Sequence, residues 1–387
     1  MDIKVKLSKK MKEYIEKIRE KALSENRTEY ENALEKYRKY LLKEIEKNSR
    51  DISAVCQLAG VCYLIRKYDE IEILEKFLEK NFNSLTNSEK FRIYIDLGYL
   101  CEYMGSMEEK AISYLEKAIK VNSENADTYY RLSVIYSLNK MNQKALESIK
   151  IACKISNEEK YNYGYALILI QNKKYEKAIK ILNILLEKDS KNIKYHFYRV
   201  LCEIYLGNKN IENIKRLLEK IKEFEILEEK NYQKYIKWVT YKGFDIIGVE
   251  EIGDLFYLCD DYEKYCKYAD NSNFYLEANS IAPYLYSLKQ LGKFEKINKI
   301  VKKAEKEILQ NIEEIKNDEE YQKNMIEEEI LEIIKNEKKR LKNINLVSEK
   351  ILNTDFKPKM EIFMFFENEC WLVDCPQHLI IDEIEEI

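Results

Sequence analysis

The residue types best suited to chemistry lie near the C-terminal end of the sequence. Cys370, Cys375 and His378 form a C-x4-C-x2-H set. These types bind zinc, but a structural zinc site needs four ligands, usually as two close pairs. No second pair lies near them, and the other histidine is His196. Asp374, Cys375 and His378 are also the types found in thiol hydrolases, whose members normally converge from distant segments. Cys259 and Cys266 are seven apart, hence on one helix face, where core packing is the plainer reading. No G-x-x-x-x-G-K-[ST] loop and no G-x-G-x-x-G occurs, and nine glycines leave few places for a phosphate cradle. At 35% charged residues, neighbouring carboxylates carry no information. The expectation is therefore no catalytic set, no metal and no cofactor. An enzyme with its site in residues 355–387 remains an alternative.

The elements that would position any site are helical. Nine Gly and three Pro in 387 residues exclude collagen-like chains and Gly/Pro-rich disorder, and argue against a β-sandwich. At 45% hydrophobic the chain can bury a substantial core. Lys and Arg number 66 against 69 Asp and Glu, a net charge of -3, so no concentrated basic surface for nucleic acid is expected. Residues 1–50 hold fifteen basic and ten acidic side chains, whereas residues 361–387 hold eight acidic and no basic ones. The nine cysteines are odd in number, irregularly spaced and mostly within apolar stretches, as expected of buried thiols in a reducing cytosol. The sequence MDIKVKLSKKMKEYIEK has no apolar core, so no signal peptide is expected, and no run approaches a membrane span. The expected setting is bacterial and cytoplasmic.

A repeat of about 34 residues organises the middle of the chain. The segment ADTYYRLSVIYSLNKMNQKALESIKIACKIS, from Ala126, holds two helical apolar patterns around a polar break at Asn139–Gln143. Small residues recur where paired helices would cross. In the first helices they are Gly98, Ser133 and Ala166; in the second, Ala111, Ala145 and Ala178. A small residue there lets two backbones approach. These segments resemble the tetratricopeptide repeat family, with its W-x2-L-G-x2-Y, A-x3-F and P pattern. Leu58-Ala59, Leu97-Gly98, Leu132-Ser133 and Ile252-Gly253 match the L-G pair, and Tyr136 the Tyr that follows. Gly292-Lys293-Phe294 matches the turn, with Lys173-Lys174-Tyr175 and Arg66-Lys67-Tyr68 as variants. Val55, Tyr94 and Tyr129 replace the family Trp, and the terminal Pro is absent. Units are placed at 52–85, 91–125, 126–158, 159–192, 193–226, 246–275 and 278–307, with the register of 193–226 not fixed. Another helix-hairpin solenoid is the rival reading.

The resemblance implies an all-α, right-handed helix-hairpin solenoid that binds a peptide or protein segment on its concave face. The fifth, ninth and twelfth positions of each unit would line that face. They include Tyr63, Tyr99, Tyr130, Tyr163 and Leu167, with Tyr103 and Arg131 beside them. The Lys and Asn of the family's carboxylate-clamp subgroup are missing, so an aromatic and aliphatic groove is expected. Packing between hairpins is the plainer role for the same tyrosines.

Flanking segments complete the expected plan. Residues 1–50 form capping helices broken near Ser24–Thr28, with Thr28 as N-cap. The array covers 51–307 and is irregular over 193–245, where Tyr232, Tyr235, Trp238, Tyr241 and Phe244 crowd together. Residues 308–353 form a long charged helical stretch. Residues 354–387 change character. MEIFMFF, a Glu367-Asn368-Glu369 turn and CWLVDC read as a β-hairpin appendage that docks on the solenoid, occupies its groove or presents an edge strand. The expected function is a non-enzymatic scaffold for a protein or peptide, with no nucleic acid or membrane partner. An inhibitor or immunity-type protein is one form of it, and a peptide-sensing regulator is the alternative.

Overall fold

Helix formation follows the apolar periodicity and the near absence of breakers. A computed structural model describes residues 7–23, 27–65, 70–103, 107–232, 247–269, 278–317 and 327–367, with side chains of 22–23 and 222–232 excluded, as are those of 103 and 249–250. Among these residues there are seventeen helices and no strand. The chain divides into two units: 1–190 with 225–246 and 365–387, and 191–224 with 247–364.

The first unit holds α1 (Lys9–Leu23), α2 (Arg27–Lys47) and four helix pairs. The pairs are α3 (Ile52–Ile65) with α4 (Ile71–Asn81), α5 (Asn87–Tyr103) with α6 (Glu108–Val121), α7 (Ala126–Leu138) with α8 (Asn142–Ile155), and α9 (Glu159–Gln171) with α10 (Tyr175–Lys188). Each helix packs on the next, and α3 on α5 and α7 on α9 also touch, so the first helices form an inner row. The recurrent small residues account for the close crossings. Ala111, Ala145, Ala166 and Ala178 are fully buried. A Cβ on Gly98 would lie 2.8 Å from Leu115, so α5 and α6 approach within the space of one methyl group. Ser133 is buried and donates its hydroxyl to the Tyr130 carbonyl at 2.5 Å. Thr28, expected as a cap, lies inside α2.

The second unit holds α11 (Ile193–Tyr205), residues 211–224 of α12 (Ile211–Tyr232), α13 (Val249–Leu258), α14 (Tyr262–Ala269), α15 (Ala278–Gln290), α16 (Phe294–Asn317) and α17 (Glu327–Asn353). Helices α13 to α16 pack in sequence, and α17 packs on both α15 and α16. Asn192 caps α11, accepting from the Tyr195 N–H at 3.3 Å; this fixes the register left open at 193–226. The aromatic residues Tyr235, Trp238, Tyr241 and Phe244 lie outside the described residues, as does the Arg66-Lys67-Tyr68 turn.

One turn recurs after five first helices. The residue two past the helix end adopts positive φ: Lys140, Lys173, Gly207, Asp260 and Gly292. The following N–H donates back to a carbonyl five residues earlier, as in Met141 to Tyr136 and Lys174 to Leu169, both at 2.8 Å. This is the Schellman arrangement, which favours glycine. Lys140 and Lys173 occupy it with φ near 59° and 57°. Lys140→Gly and Lys173→Gly are each expected to stabilise the first unit by about 0.5–1 kcal/mol, as relief of left-handed strain exceeds the entropy glycine adds. Urea midpoints of the single variants would check this, and a fall in midpoint would refute it.

The C-terminal hairpin is a correction. Residues 355–367 form neither helix nor strand, and their alternating burial is that of an extended chain. The second expected arm, CWLVDC, lies outside the described residues. The first arm keeps the period-2 burial of a strand: Pro358, Met360 and Phe366 are buried while Lys357, Lys359, Glu361 and Phe363 are exposed. Its main-chain partners are side chains instead.

Candidate functional site

In the first unit, equivalent positions of two inner helices present tyrosines to an extended backbone. Tyr130 of α7 and Tyr163 of α9 stand 33 residues apart, one repeat. The Tyr163 hydroxyl donates to the Phe365 carbonyl at 2.9 Å, and the Tyr130 hydroxyl to the Glu367 carbonyl at 3.1 Å. Both rings are at most 2% exposed. Carbonyls two residues apart on an extended chain point the same way, so one tyrosine per repeat reads alternate residues. The seat is set by a glycine: a Cβ on Gly164 would meet the Tyr130 ring at 2.6 Å. Tyr161 packs edge-on against Tyr130 at 5.7 Å, and its hydroxyl donates to Asp127 at 2.9 Å. Ring position is thus fixed from both sides.

A polar cluster lies on the same inner row. Arg131 is buried, pairs with Glu102 at 3.3 Å and stands 5.7 Å over the Tyr99 ring. Burial pushes the Glu102 carboxyl above its ordinary value, and Arg131 pulls it back down. Burial also lifts the Tyr99 hydroxyl well above its usual range. Ser137 donates its hydroxyl to Gln171 one repeat on. These pairings link side chains of α5, α7 and α9 and hold the three helices in register.

In the second unit the same device recurs. The Tyr198 hydroxyl of α11 donates to the Phe363 carbonyl at 3.0 Å, and the Tyr257 hydroxyl of α13 to the Pro358 carbonyl at 2.6 Å. Lys289 donates to the carbonyls of Ile351 and Thr354, each at 2.8 Å, and so closes the end of α17 where the extended segment begins. Burial raises the thiol pKa of Cys101 and Cys153 to about 11 and that of Cys202 to about 12.

Comparison with known proteins bears on the repeat. No protein-family model matches the chain. It is 26% identical over 304 residues to the TPR repeat-containing protein MJ1428 of Methanocaldococcus jannaschii, a match covering 65% of this chain and 51% of that one. The helix pairs are similar to the repeats for which that protein is named. The chain spans about half the length of that curated relative. Among solved structures, a tetratricopeptide repeat protein of Parabacteroides merdae is 14% identical with a TM-score of 0.46, over 76% of this chain and 98% of that one. Yeast Tom70 is 12% identical with a TM-score of 0.46, over 92% of this chain and 70% of that one.

The expected groove residues fall in different surroundings. Tyr130 and Tyr163 meet an extended chain through their hydroxyls. Arg131 and Tyr99 belong to the polar cluster, and Leu167 is fully buried within the repeat array. Tyr63 is half-buried on α3, whereas Tyr103 closes α5 with its side chain outside the described set. Sequence reasoning missed Tyr198 and Tyr257. The signal for Tyr198 was the spacing itself, since Tyr130, Tyr163 and Tyr198 follow at 33 and 35 residues. Cys370, Asp374, Cys375 and His378 lie outside the described residues. No group of metal-ligating side chains occurs among the described residues, and none of the described helices is long and apolar enough to cross a membrane.

Proposed function

We propose that this tetratricopeptide array is a protein- or peptide-binding scaffold whose inner tyrosines hold an extended segment by its main chain. The observation that carries the reading is the pair of hydroxyl-to-carbonyl bonds from Tyr130 and Tyr163 to Glu367 and Phe365. A buried tyrosine suits this work, because its ring adds apolar contact while its hydroxyl donates to any residue's carbonyl. The ligand class is therefore a polypeptide, with apolar side chains at alternate positions. The finer roles are a dedicated inhibitor or immunity-type partner and a peptide-sensing regulator. A partner protein would bury a conventional interface, whereas a peptide signal would saturate the site and raise thermal stability by mass action.

The test uses the full chain and a Tyr130→Phe/Tyr163→Phe variant. Affinity capture with mass spectrometry from the source cell first supplies the partner, and calorimetry then measures its affinity for both proteins. Two lost neutral hydrogen bonds should weaken binding by roughly tenfold or more. Unchanged affinity for a variant that keeps its helical circular dichroism would remove the reading.

A further inference from the structure

We infer that Tyr257, Tyr262 and Asp260 form a lysine-reading subsite in the second unit, and that its external ligand is an extended protein segment carrying Lys-Pro. In the structure the seat is filled by the chain's own Lys357. The Lys357 ammonium lies 2.5 Å from Asp260 Oδ1, 5.3 Å from the Tyr257 ring centroid and 5.8 Å from that of Tyr262. A cation between two aromatic faces and a carboxylate is favoured by both ring quadrupoles and charge.

The seat is built without its occupant. Tyr286 stands edge-on to Tyr262 at 5.7 Å and to Tyr257 at 6.3 Å, and Tyr265 edge-on to Tyr257 at 5.3 Å. Asp260 sits in the left-handed turn after α13, so its carboxylate projects from a fixed backbone. The Tyr262 hydroxyl donates to it at 2.9 Å and Lys209 at 2.6 Å. Burial alone would raise the Asp260 carboxyl, but hydrogen bonds from Lys209, Lys357 and Tyr262 hold it well below the ordinary carboxylate range.

The neighbouring contacts explain why proline follows. The Tyr257 hydroxyl donates to the Pro358 carbonyl at 2.6 Å, and Pro358 is buried. Proline brings no N–H that would need a partner there, and it holds the preceding residue extended. Hydroxyl-to-carbonyl bonds read main chain, so preference among segments must come from side chains. Those offered here are Lys357, Pro358 and the buried Met360. The occupant is exchangeable in kind, because residues 355–364 contribute no helix or strand pairing that a competitor would have to break. Lys357 is 40% exposed, so the seat is reachable. Lys359 is exposed and makes none of these contacts, which supplies an internal control.

The inference rests on the scaffold reading above. Its test uses the full chain carrying Lys357→Ala and a dye-labelled peptide with the sequence of residues 355–364, titrated by fluorescence anisotropy. Two further peptides carry Ala in place of Lys357 or of Lys359. The first replacement should weaken binding roughly tenfold, and the second should leave it unchanged. On a chain that also carries Asp260→Asn, which keeps a residue tolerant of the left-handed turn, the lysine preference should shrink to about threefold or less. The unsubstituted chain should bind the parent peptide more weakly than the Lys357→Ala chain, since its own lysine competes. Equal binding of the three peptides would overturn the lysine seat while leaving the scaffold reading to its Tyr130 and Tyr163 test, which touches the first unit alone. Failure of the folded Lys357→Ala chain to bind the parent peptide at millimolar concentration would overturn it as well.

Discussion

Asp96→Ala is expected to cost the first unit about 3–5 kcal/mol, the largest loss foreseen for a single polar side chain in this protein. Asp96 and Arg92 lie one turn apart on α5 and are 1% and 4% exposed. Arg92 Nε reaches Asp96 Oδ1 at 3.1 Å and Oδ2 at 3.0 Å. Helix α5 packs on α3, α4 and α6, so water has little access to a guanidinium left there without its carboxylate. The pair itself contributes little net stability, because two desolvation penalties offset its Coulombic gain; breaking it leaves a buried guanidinium without that counter-charge. Two controls follow. Asp96→Asn keeps an acceptor and should cost less than Asp96→Ala. Arg92→Met combined with Asp96→Leu should recover most of the loss, since apolar groups of similar volume need no partner. Urea titrations followed by circular dichroism would measure all three. A loss below 1 kcal/mol for Asp96→Ala would mean that water or a second acceptor compensates the Arg92 charge.

How much of this was legible in the sequence depends on the physical origin of each feature. The helix pairs were legible because backbone approach demands small residues, and Ala111, Ala145 and Ala178 recur at the required spacing and are all fully buried. The turns were half legible. Gly292 announces a left-handed residue, but Lys173 does the same work at φ 57° with a side chain that gives no such signal. Tyr130 and Tyr163 were named as groove residues through the family resemblance, yet periodicity alone did not separate them from core tyrosines, and both are in fact buried. Gly164 passed unnoticed, although it sets the Tyr130 ring, because the small residue expected in that helix is Ala166, two positions on. The hairpin failed for a more general reason. Alternation in MEIFMFF reports an extended chain with one covered face, and it carries no record of what covers that face. Here inner-helix tyrosines supply the donors that a neighbouring strand would have supplied. Tyr198 then went unplaced because 193–226 had no fixed register until Asn192 was seen to cap α11.

Phe366→Ala is expected to release the C-terminal segment from the first unit at a cost of about 3–5 kcal/mol, whereas Phe363→Ala should lie within about 0.5 kcal/mol of the parent. The two side chains have the same type and stand three residues apart, but Phe366 is 4% exposed and Phe363 65%. The extended backbone turns odd and even residues to opposite sides, so Phe363 faces water even while its carbonyl accepts from Tyr198. Where the Phe366 loss appears decides what the segment is. A segment that is an integral part of the repeat core would carry its loss into the global unfolding midpoint. A segment that only occupies a preformed tyrosine face can leave while the helices stay folded, so the loss is confined to its own docking equilibrium. The second behaviour is expected, because no regular secondary structure ties residues 355–367 to either unit. Cleavage after Glu361 and Glu367 by a glutamate-specific protease should then accelerate roughly 100-fold or more in Phe366→Ala, with little change in the helical melting curve. A shifted melting curve with unchanged cleavage would make the segment structural and remove its role as a stand-in for a partner's chain.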